Sequence, residues 1–317
     1  MMLKRTIYII FILSLILLIN FSCNERLTGP KGIITDEDSV LVRPFGLPNR
    51  FEVATWNIEN FPKKGTQTID NLSLLIKNLD IDLIAVQEIA SVSSFDSLLI
   101  RIPQWKGHLS DHVYNDGSYQ KTGLLYKSSF ISVSNVRSLE INEYTSYGSA
   151  FPRPPLAAFV KIIDNSGLKY DFTIIVLHLK AFGGESNEAR RRRACELLKN
   201  YIEEEIGNGA DPDFIVLGDW NDLLEDEPQV NVFTVFLNDP RYTFLTANLQ
   251  NQYSYIDTRY KSLIDHILVT ESSLQKYLPG KTQVLYLDTE YADYPLLISD
   301  HRPVAAMFEG FTLELAN

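Results

Sequence analysis

Short apolar runs that stop on an acid, an amide or an imidazole recur along this chain, and they leave few folds open to it. The run Phe214–Leu217 closes on Gly218-Asp219-Trp220-Asn221, and another run opens behind Ser299-Asp300-His301-Arg302-Pro303. The same ending occurs at Trp56-Asn57-Ile58-Glu59 after Phe51–Thr55, at Gln87-Glu88 after Asp82–Val86, and at His178 within Phe172–Leu179. Apolar runs this short read as buried strands rather than helices. Polar groups at their ends fall where strands meet loops, the place active sites are usually built.

The segments between these runs set the layering. Thr66–Leu79 carries Ile69, Leu72, Ile76 and Leu79 at helical spacing between strands Phe51–Asn57 and Asp82–Gln87, a βαβ opening. A second helix is expected over Ser94–Ile102. Strands are expected at Thr122–Tyr126, Ile131–Leu139, Leu156–Ile163 and Tyr170–Leu179, the last two joined by the hairpin signal Asp164-Asn165-Ser166-Gly167. A long helix Asn187–Ile206 precedes strand Phe214–Leu217. Helix Pro228–Leu237 and strands Leu263–Val269, Thr282–Leu287 and Pro303–Phe308 complete the reading. Buried strands, βα-like at first and antiparallel in the middle, predict an α/β (α+β) fold in which two mixed sheets pack face to face with helices outside. With 317 residues, 45% of them hydrophobic, the chain can bury the core of one large domain, expected over residues 50–310.

The N-terminus reads differently. Lys4 and Arg5 precede the apolar stretch Ile7–Ile19, which is too short to span a bilayer and suits the core of a secretory signal. Cys23 directly follows Ser22 and resembles the lipid-modified cysteine of a bacterial lipobox. Residues 1–22 are therefore expected to be a signal peptide, and residues 23–49, without sustained periodicity, a lipid-anchored tether in the cell envelope. Cleavage there removes Lys4 and Arg5 and no acid, taking the formal charge from −11 to −13. Such a surface repels polyanions on average, so any nucleic-acid contact must be local. Cys195 falls in a helical pattern and reads as a small buried hydrophobe, and two cysteines build neither a disulfide framework nor a thiolate metal site. Nothing points to a protein partner, and a monomer is expected.

Strand parity indicates which side chains converge. Phe51, Val53, Thr55 and Asn57 share one face, which Glu59 continues if the chain stays extended, and Asp219 and Asn221 are likewise two apart. Asp265 shares a face with Leu263, Ile267 and Val269, and a carboxylate among aliphatics demands a partner. His301 is the partner assigned to it: a carboxylate on one ring nitrogen fixes the tautomer and frees the other nitrogen for proton transfer. Glu88 and Asp300, with Asn57 or Glu59, are hard oxygen ligands suited to Mg²⁺, with Mn²⁺ or Ca²⁺ as alternatives. A metal, a base and donors such as Asn221 and His178 make a minimal set for phosphoryl hydrolysis.

The ordered set Trp56-Asn57-Ile58-Glu59, Gln87-Glu88, His178-Leu179-Lys180, Gly218-Asp219-Trp220-Asn221, Ile264-Asp265-His266 and Ser299-Asp300-His301 resembles the endonuclease/exonuclease/phosphatase superfamily, the group of pancreatic-type deoxyribonucleases, from about Phe51 to Phe308. Each piece alone is an ordinary turn, cap or core residue; six in one order are not. The resemblance implies a four-layer α/β/β/α sandwich with a cleft at one edge of the sheets. It implies that Glu88 holds the metal beside Asn57 and Asp300, that Asp219 positions or deprotonates water, that Asn221 and His178 contact phosphate, and that His301, held by Asp265, completes the set. Whether Asp219 or His301 is the base stays open. In place of the glutamate that supports the corresponding histidine in deoxyribonucleases, this chain offers Gln120 or Lys121. Lys180, Arg153 and Arg190, the first of the Arg190–Arg193 run, are candidate substrate contacts. The expected activity is a metal-dependent nuclease or other phosphodiesterase, with a lipid-head-group or sugar-phosphate hydrolase and an inactive surface-binding lipoprotein as the alternatives.

Overall fold

The computed structural model describes residues 42–249, 251–257, 259–308 and 313–314. The expected signal peptide, Cys23 and the first part of the tether lie outside these residues. The end of the expected tether is not one: Val42 is buried against the domain, and the amides of Phe45 and Gly46 donate to the Leu79 carbonyl at 2.9 and 3.0 Å. Domain packing therefore begins at least eight residues ahead of residue 50, by Val42.

In chain order, β1 (Phe51–Phe61), α1 (Thr66–Leu79) and β2 (Leu83–Ile89) form the βαβ opening, followed by α2 (Val92–Arg101), β3 (Trp105–Leu109), β4 (Lys121–Lys127) and β5 (Ile131–Ser138). A small ribbon, β6 (Tyr144–Thr145) and β7 (Gly148–Ser149), precedes the hairpin of β8 (Leu156–Asp164) and β9 (Gly167–His178), whose turn residue Gly167 sits at φ 112°. Helix α3 (Glu185–Gly207) leads to β10 (Phe214–Asp219), α4 (Thr234–Leu237), β11 (Tyr242–Phe244), the ribbon of β12 (Tyr255–Ile256) and β13 (Lys261–Ser262), and β14 (Asp265–Thr270). The last elements are α5 (Glu271–Leu274), β15 (Tyr277–Val284), α6 (Leu287–Glu290), α7 (Tyr294–Leu297) and β16 (Val304–Phe308).

Two six-stranded mixed sheets result, ordered β15-β16-β1-β2-β4-β3 and β11-β14-β10-β9-β8-β5. Each is built around a parallel pair linked through a helix, β1–β2 by α1 and β9–β10 by α3, with antiparallel strands on both sides. Odd residues of β1, Phe51 and Val53, meet Ile174, Val176, Ile215 and Leu217 between the sheets. Even residues, Ala54 and Trp56, pack outward on α1 and α2. The outer face of the second sheet packs on α3 and Trp220. Three apolar layers thus separate four layers of structure, the expected α/β/β/α sandwich.

Besides short ribbons and single-turn helices that the sequence reading does not include, three differences from it have a plain physical cause. Strand β3 is edge-paired to β4, where sparse hydrophobicity such as Lys106-Gly107-His108 is tolerated. Strand β15 begins at Tyr277 and accommodates Pro279 because it too lies at an edge, with a register shift between Tyr277 and Thr282. Helix Pro228–Leu237 is reduced to α4 by buried Asn231. Its side chain accepts from the Phe233 amide at 2.8 Å and donates to the Leu224 and Asp226 carbonyls, an alternative to helical pairing.

Candidate active site

Both parallel pairs end at one rim. Asp219 at the end of β10 is in register with His178 on β9 and with Asp265 on β14, so one strand end supplies two acids and an imidazole side by side. From the other sheet, Asn57 on β1 reaches across, and its Nδ2 donates to Glu88 Oε1 at 3.1 Å and to Asp219 Oδ2 at 3.0 Å. That single amide ties the two sheets together at the mouth.

Glu88 is there because of a backbone irregularity. Leu83 and Ala85 face the inter-sheet core while Ile84 and Val86 face the helices, so strand parity would send Glu88 to the helix side. Register shifts between Asn57 and Phe61 and between Val86 and Ile89, with Glu88 at φ 64°, turn its carboxylate back toward Asn57 and toward the Asn60 amide, 3.0 Å away. The same irregularity ends the extended run before Glu59 (φ 34°), so the expected continuation of the β1 face does not hold. One Glu59 oxygen is taken by the Lys63 ammonium and the Asp300 amide. Glu59 lines the cleft, but its charge is already countered. Asn57 Oδ1 accepts from the Glu59 amide at 3.0 Å, which leaves nitrogen, not oxygen, facing the carboxylates.

Opposite lies His301. Its Nδ1 is 2.7 Å from Asp265 Oδ2, the expected pairing, and its Nε2 is 3.9 Å from Asp219 Oδ2. The histidine is fixed by its backbone: the Tyr294 hydroxyl donates to the His301 carbonyl and accepts from Trp56 Nε1, and Ser299 Oγ accepts from the His301 amide while donating to the Asn57 carbonyl. Sequence reasoning missed Tyr294 and Ser299 as positioning groups. Ser299 could have been flagged as the neighbour of Asp300; Tyr294 carries no local signal.

Electrostatics follow burial. Burial, then nearby Asp265, pushes Asp219 up to about 7. Burial also raises Asp300 to about 6, against the pull of His301. Burial alone would lower His301, but Asp265 overrides it and, with Asp219 and Asp300, raises the imidazole to about 10. Burial and then Arg153 hold His178 well below its usual range, so that ring is neutral. His178 Nε2 lies 3.4 Å from Asp219 Oδ2, and its buried Nδ1 has no partner. Neither Gln120 nor Lys121 supports it, contrary to expectation. Gln120 donates to Asn60 Oδ1 and Lys121 to the His112 carbonyl.

The remaining expected residues are divided. Asn221 (φ 57°) donates its backbone N–H to Asp219 Oδ1 at 3.0 Å and its side-chain Nδ2 to the Leu179 carbonyl at 3.3 Å, and it lines the cleft. Arg153 reaches the His178 carbonyl at 3.4 Å. Lys180 is not in the cleft lining but directly precedes the lining residues Ala181 and Phe182, its Nζ on the Ala181 carbonyl and over the Phe182 ring. Arg190 does not join the cleft lining: its Nε donates to the Ser149 carbonyl at 2.6 Å. The cleft itself encloses about 600 Å³.

One ligand atom each of Asp219, Asp265 and His301 lies within 4.8 Å of the others, but the Asp265–His301 hydrogen bond engages two of the three, so this cluster is distinct from the Glu88 and Asp300 pair expected to hold a cation; buried Asp265 Oδ1 has no partner. Among the described residues no lysine or arginine comes within 4.0 Å of Glu88, Asp219 or Asp300. A sulfur-free, acid-rich set without a built-in ammonium or guanidinium fits a hard divalent cation.

The fold belongs to a known class: residues 54–301 match the Endonuclease/Exonuclease/phosphatase family, and the chain belongs to it. Members are phosphoesterases that typically use a divalent metal. Among solved structures, the chain resembles an endonuclease/exonuclease/phosphatase from Bacteroides vulgatus (19% identity, TM-score 0.60, covering 84% of this chain and 99% of that one). It also resembles TDP2 of D. rerio complexed with single strand DNA product (15%, 0.60, 82% and 98%) and a Bacteroides thetaiotaomicron mannosyl-6-phosphatase (16%, 0.57, 81% and 98%). No curated protein matches the chain.

Proposed function

We propose that this protein is an envelope phosphodiesterase, exported by its N-terminal leader and anchored through Cys23, that hydrolyses nucleic acid with the help of Mg²⁺. The observation that supports the reading is the Asn57 nitrogen bonding both Glu88 and Asp219 from opposite sheets, with the Asp265–His301 pair across from them. A divalent cation held by Glu88 and Asp300 would supply positive charge to the non-bridging oxygens as negative charge grows there. Asp219 orients the attacking water and takes its proton, since a carboxyl raised to about 7 can accept and return a proton near neutrality. As the water oxygen bonds to phosphorus, the ester oxygen opposite departs with the bonding pair. His301, kept protonated by Asp265, donates from Nε2 to the developing charge, and Asn221 and neutral His178 line the phosphate.

The net charge of −13 after cleavage favours a second reading, a phosphodiesterase or phosphatase on lipid head groups or sugar phosphates, which needs no basic groove. The mannosyl-6-phosphatase with the same fold belongs to that class. Hydrolysis of plasmid DNA, RNA, bis-p-nitrophenyl phosphate, sphingomyelin and a sugar phosphate, each with Mg²⁺ and with chelator, separates the two. Turnover of none, or turnover indifferent to chelator, defeats both and leaves a binding lipoprotein.

A further inference from the structure

Two aromatic side chains on the cleft lining stand out in solvent: Phe182 is 78% exposed and Tyr260 69%. Single exposed aromatics are common, so exposure alone carries nothing. Phe182, however, sits at φ 71°, a left-handed backbone that a bulky residue adopts only under constraint. The constraint is built in. Arg191, buried inside α3 and paired with Asp222 at 2.8 Å, donates from one nitrogen to the carbonyls of both Lys180 and Phe182 at 2.7 Å. A buried ion pair is thus used to hold the loop in the form that leaves this ring in solvent. Each ring also carries a cation: Lys180 Nζ lies 5.1 Å from the Phe182 centroid and Arg259 Cζ lies 5.8 Å from that of Tyr260. Arg259 is paired with Asp257 at 3.4 Å, whereas Lys180 Nζ donates to the Ala181 carbonyl at 3.1 Å and, among the described residues, pairs with no carboxylate within 4.0 Å.

We infer that Phe182 and Tyr260 form a stacking site for a planar base joined to the reacting phosphate, with Lys180 beside the neighbouring phosphate, so that the substrate is single-stranded nucleic acid. The inference rests on the phosphodiesterase reading and names its substrate. Base stacking on exposed rings with adjoining cations is how single strands are held without sequence preference, whereas duplex bases are already stacked on each other. A lipid surface is the weaker occupant, since inserting tips need contiguous apolar surface. Phe182 is followed by Gly183, Gly184 and Glu185, and Tyr260 lies between Arg259 and Lys261.

The test compares the full chain with its Phe182→Ala/Tyr260→Ala double variant and with Phe182→Trp. The substrates are a six-nucleotide oligothymidylate, a six-unit abasic tetrahydrofuran strand and sphingomyelin–detergent micelles. The expected result is a wild-type preference in kcat/KM for the base-bearing strand that the double variant reduces about tenfold, through KM rather than kcat, and that Phe182→Trp retains. Equal kcat/KM on both strands in the wild type, or a preference unaltered in the double variant, overturns the stacking site alone. Loss confined to the micelles assigns the rings to lipid and also overturns it. Cleavage of bis-p-nitrophenyl phosphate with neither strand cut overturns the nucleic-acid reading itself.

Discussion

Strands β1 and β2 carry carboxylates at both ends, and the two ends balance them by opposite means. At the N-terminal end, buried Glu52 and Asp82 meet: the Glu52 amide donates to Asp82 Oδ2 at 3.1 Å, and Glu52 Oε1 accepts from the Leu47 amide at 3.0 Å. Lys127 reaches Asp82 Oδ1 at 2.9 Å and is shared with the more exposed Asp80, and burial beside Asp82 raises Glu52 to about 9, so one ammonium and one retained proton offset the buried pair. At the C-terminal end, Glu88 is met by the Asn57 and Asn60 nitrogens, and Asp219 by Asn57 and two imidazoles. A fixed lysine makes the first end inert. At the second only dipoles and imidazoles meet the acids, the arrangement that the proposed uptake of a divalent cation and a phosphate requires.

The largest effect that could break the comparison is loss of the cation. Chelation is expected to lower phosphoester hydrolysis on the order of 10³-fold, reversed by Mg²⁺. Mg²⁺ should also raise the thermal midpoint of the wild type and not that of Glu88→Gln. Calorimetry in which Mg²⁺ shifts both proteins equally would place the ion elsewhere. Next, Asp219→Asn and His301→Ala should each lower turnover about 10²-fold or more. Asp219→Asn should keep or raise the thermal midpoint, because a neutral amide removes a buried charge facing Asp265. A midpoint that collapses along with the activity would make Asp219 structural.

Most of the sandwich was legible because its strands are buried on both faces and their runs are bounded by turn residues. The hairpin at Gly167 and the helix Thr66–Leu79 follow from local pattern, and the pairing of Asp265 with His301 from the need of a buried carboxylate for a partner. The aim of Glu88 does not. A bulge set by pairing with β1 and β4 overrides the two-residue period, and no local signal announces it. The clamp of Arg191 was hidden for a related reason. In the run Arg190–Arg193 successive residues fan around the helix, and only the long-range partner Asp222 decides which one turns inward. Phe182 likewise becomes notable only once its backbone angle and exposure are known.

A smaller effect sharpens the role of Asp265. Removing its charge with Asp265→Asn should let burial dominate and lower the His301 pKa from about 10. If His301 acts as a cation, activity needs the protonated ring, so the alkaline limb of kcat against pH should move to lower pH. The loss should be about tenfold at pH 9 and smaller at pH 6. A limb that stays in place would mean that another group sets it.

The smallest effect concerns the inert end. The folded value of Glu52, about 9, lies above its ordinary 4.5, so the fold holds a proton that the unfolded chain releases between those values. For a raised carboxyl the stabilising contribution is complete below about pH 4.5 and is lost as pH climbs toward 9. Glu52→Gln keeps the shape, can still accept from the Leu47 amide and donate toward Asp82, and stays neutral throughout. The stability of the variant relative to wild type should therefore grow from pH 5 to pH 9 by on the order of 1–3 kcal/mol, a few degrees in thermal midpoint for a domain of this size. Phosphoester hydrolysis should change less than about twofold, because the substitution lies at the far ends of β1 and β2 from Asn57 and Glu88. A stability difference independent of pH would show that Glu52 is ionised and that Lys127 alone balances the pair. The two ends would then differ in counter-charge but not in proton retention.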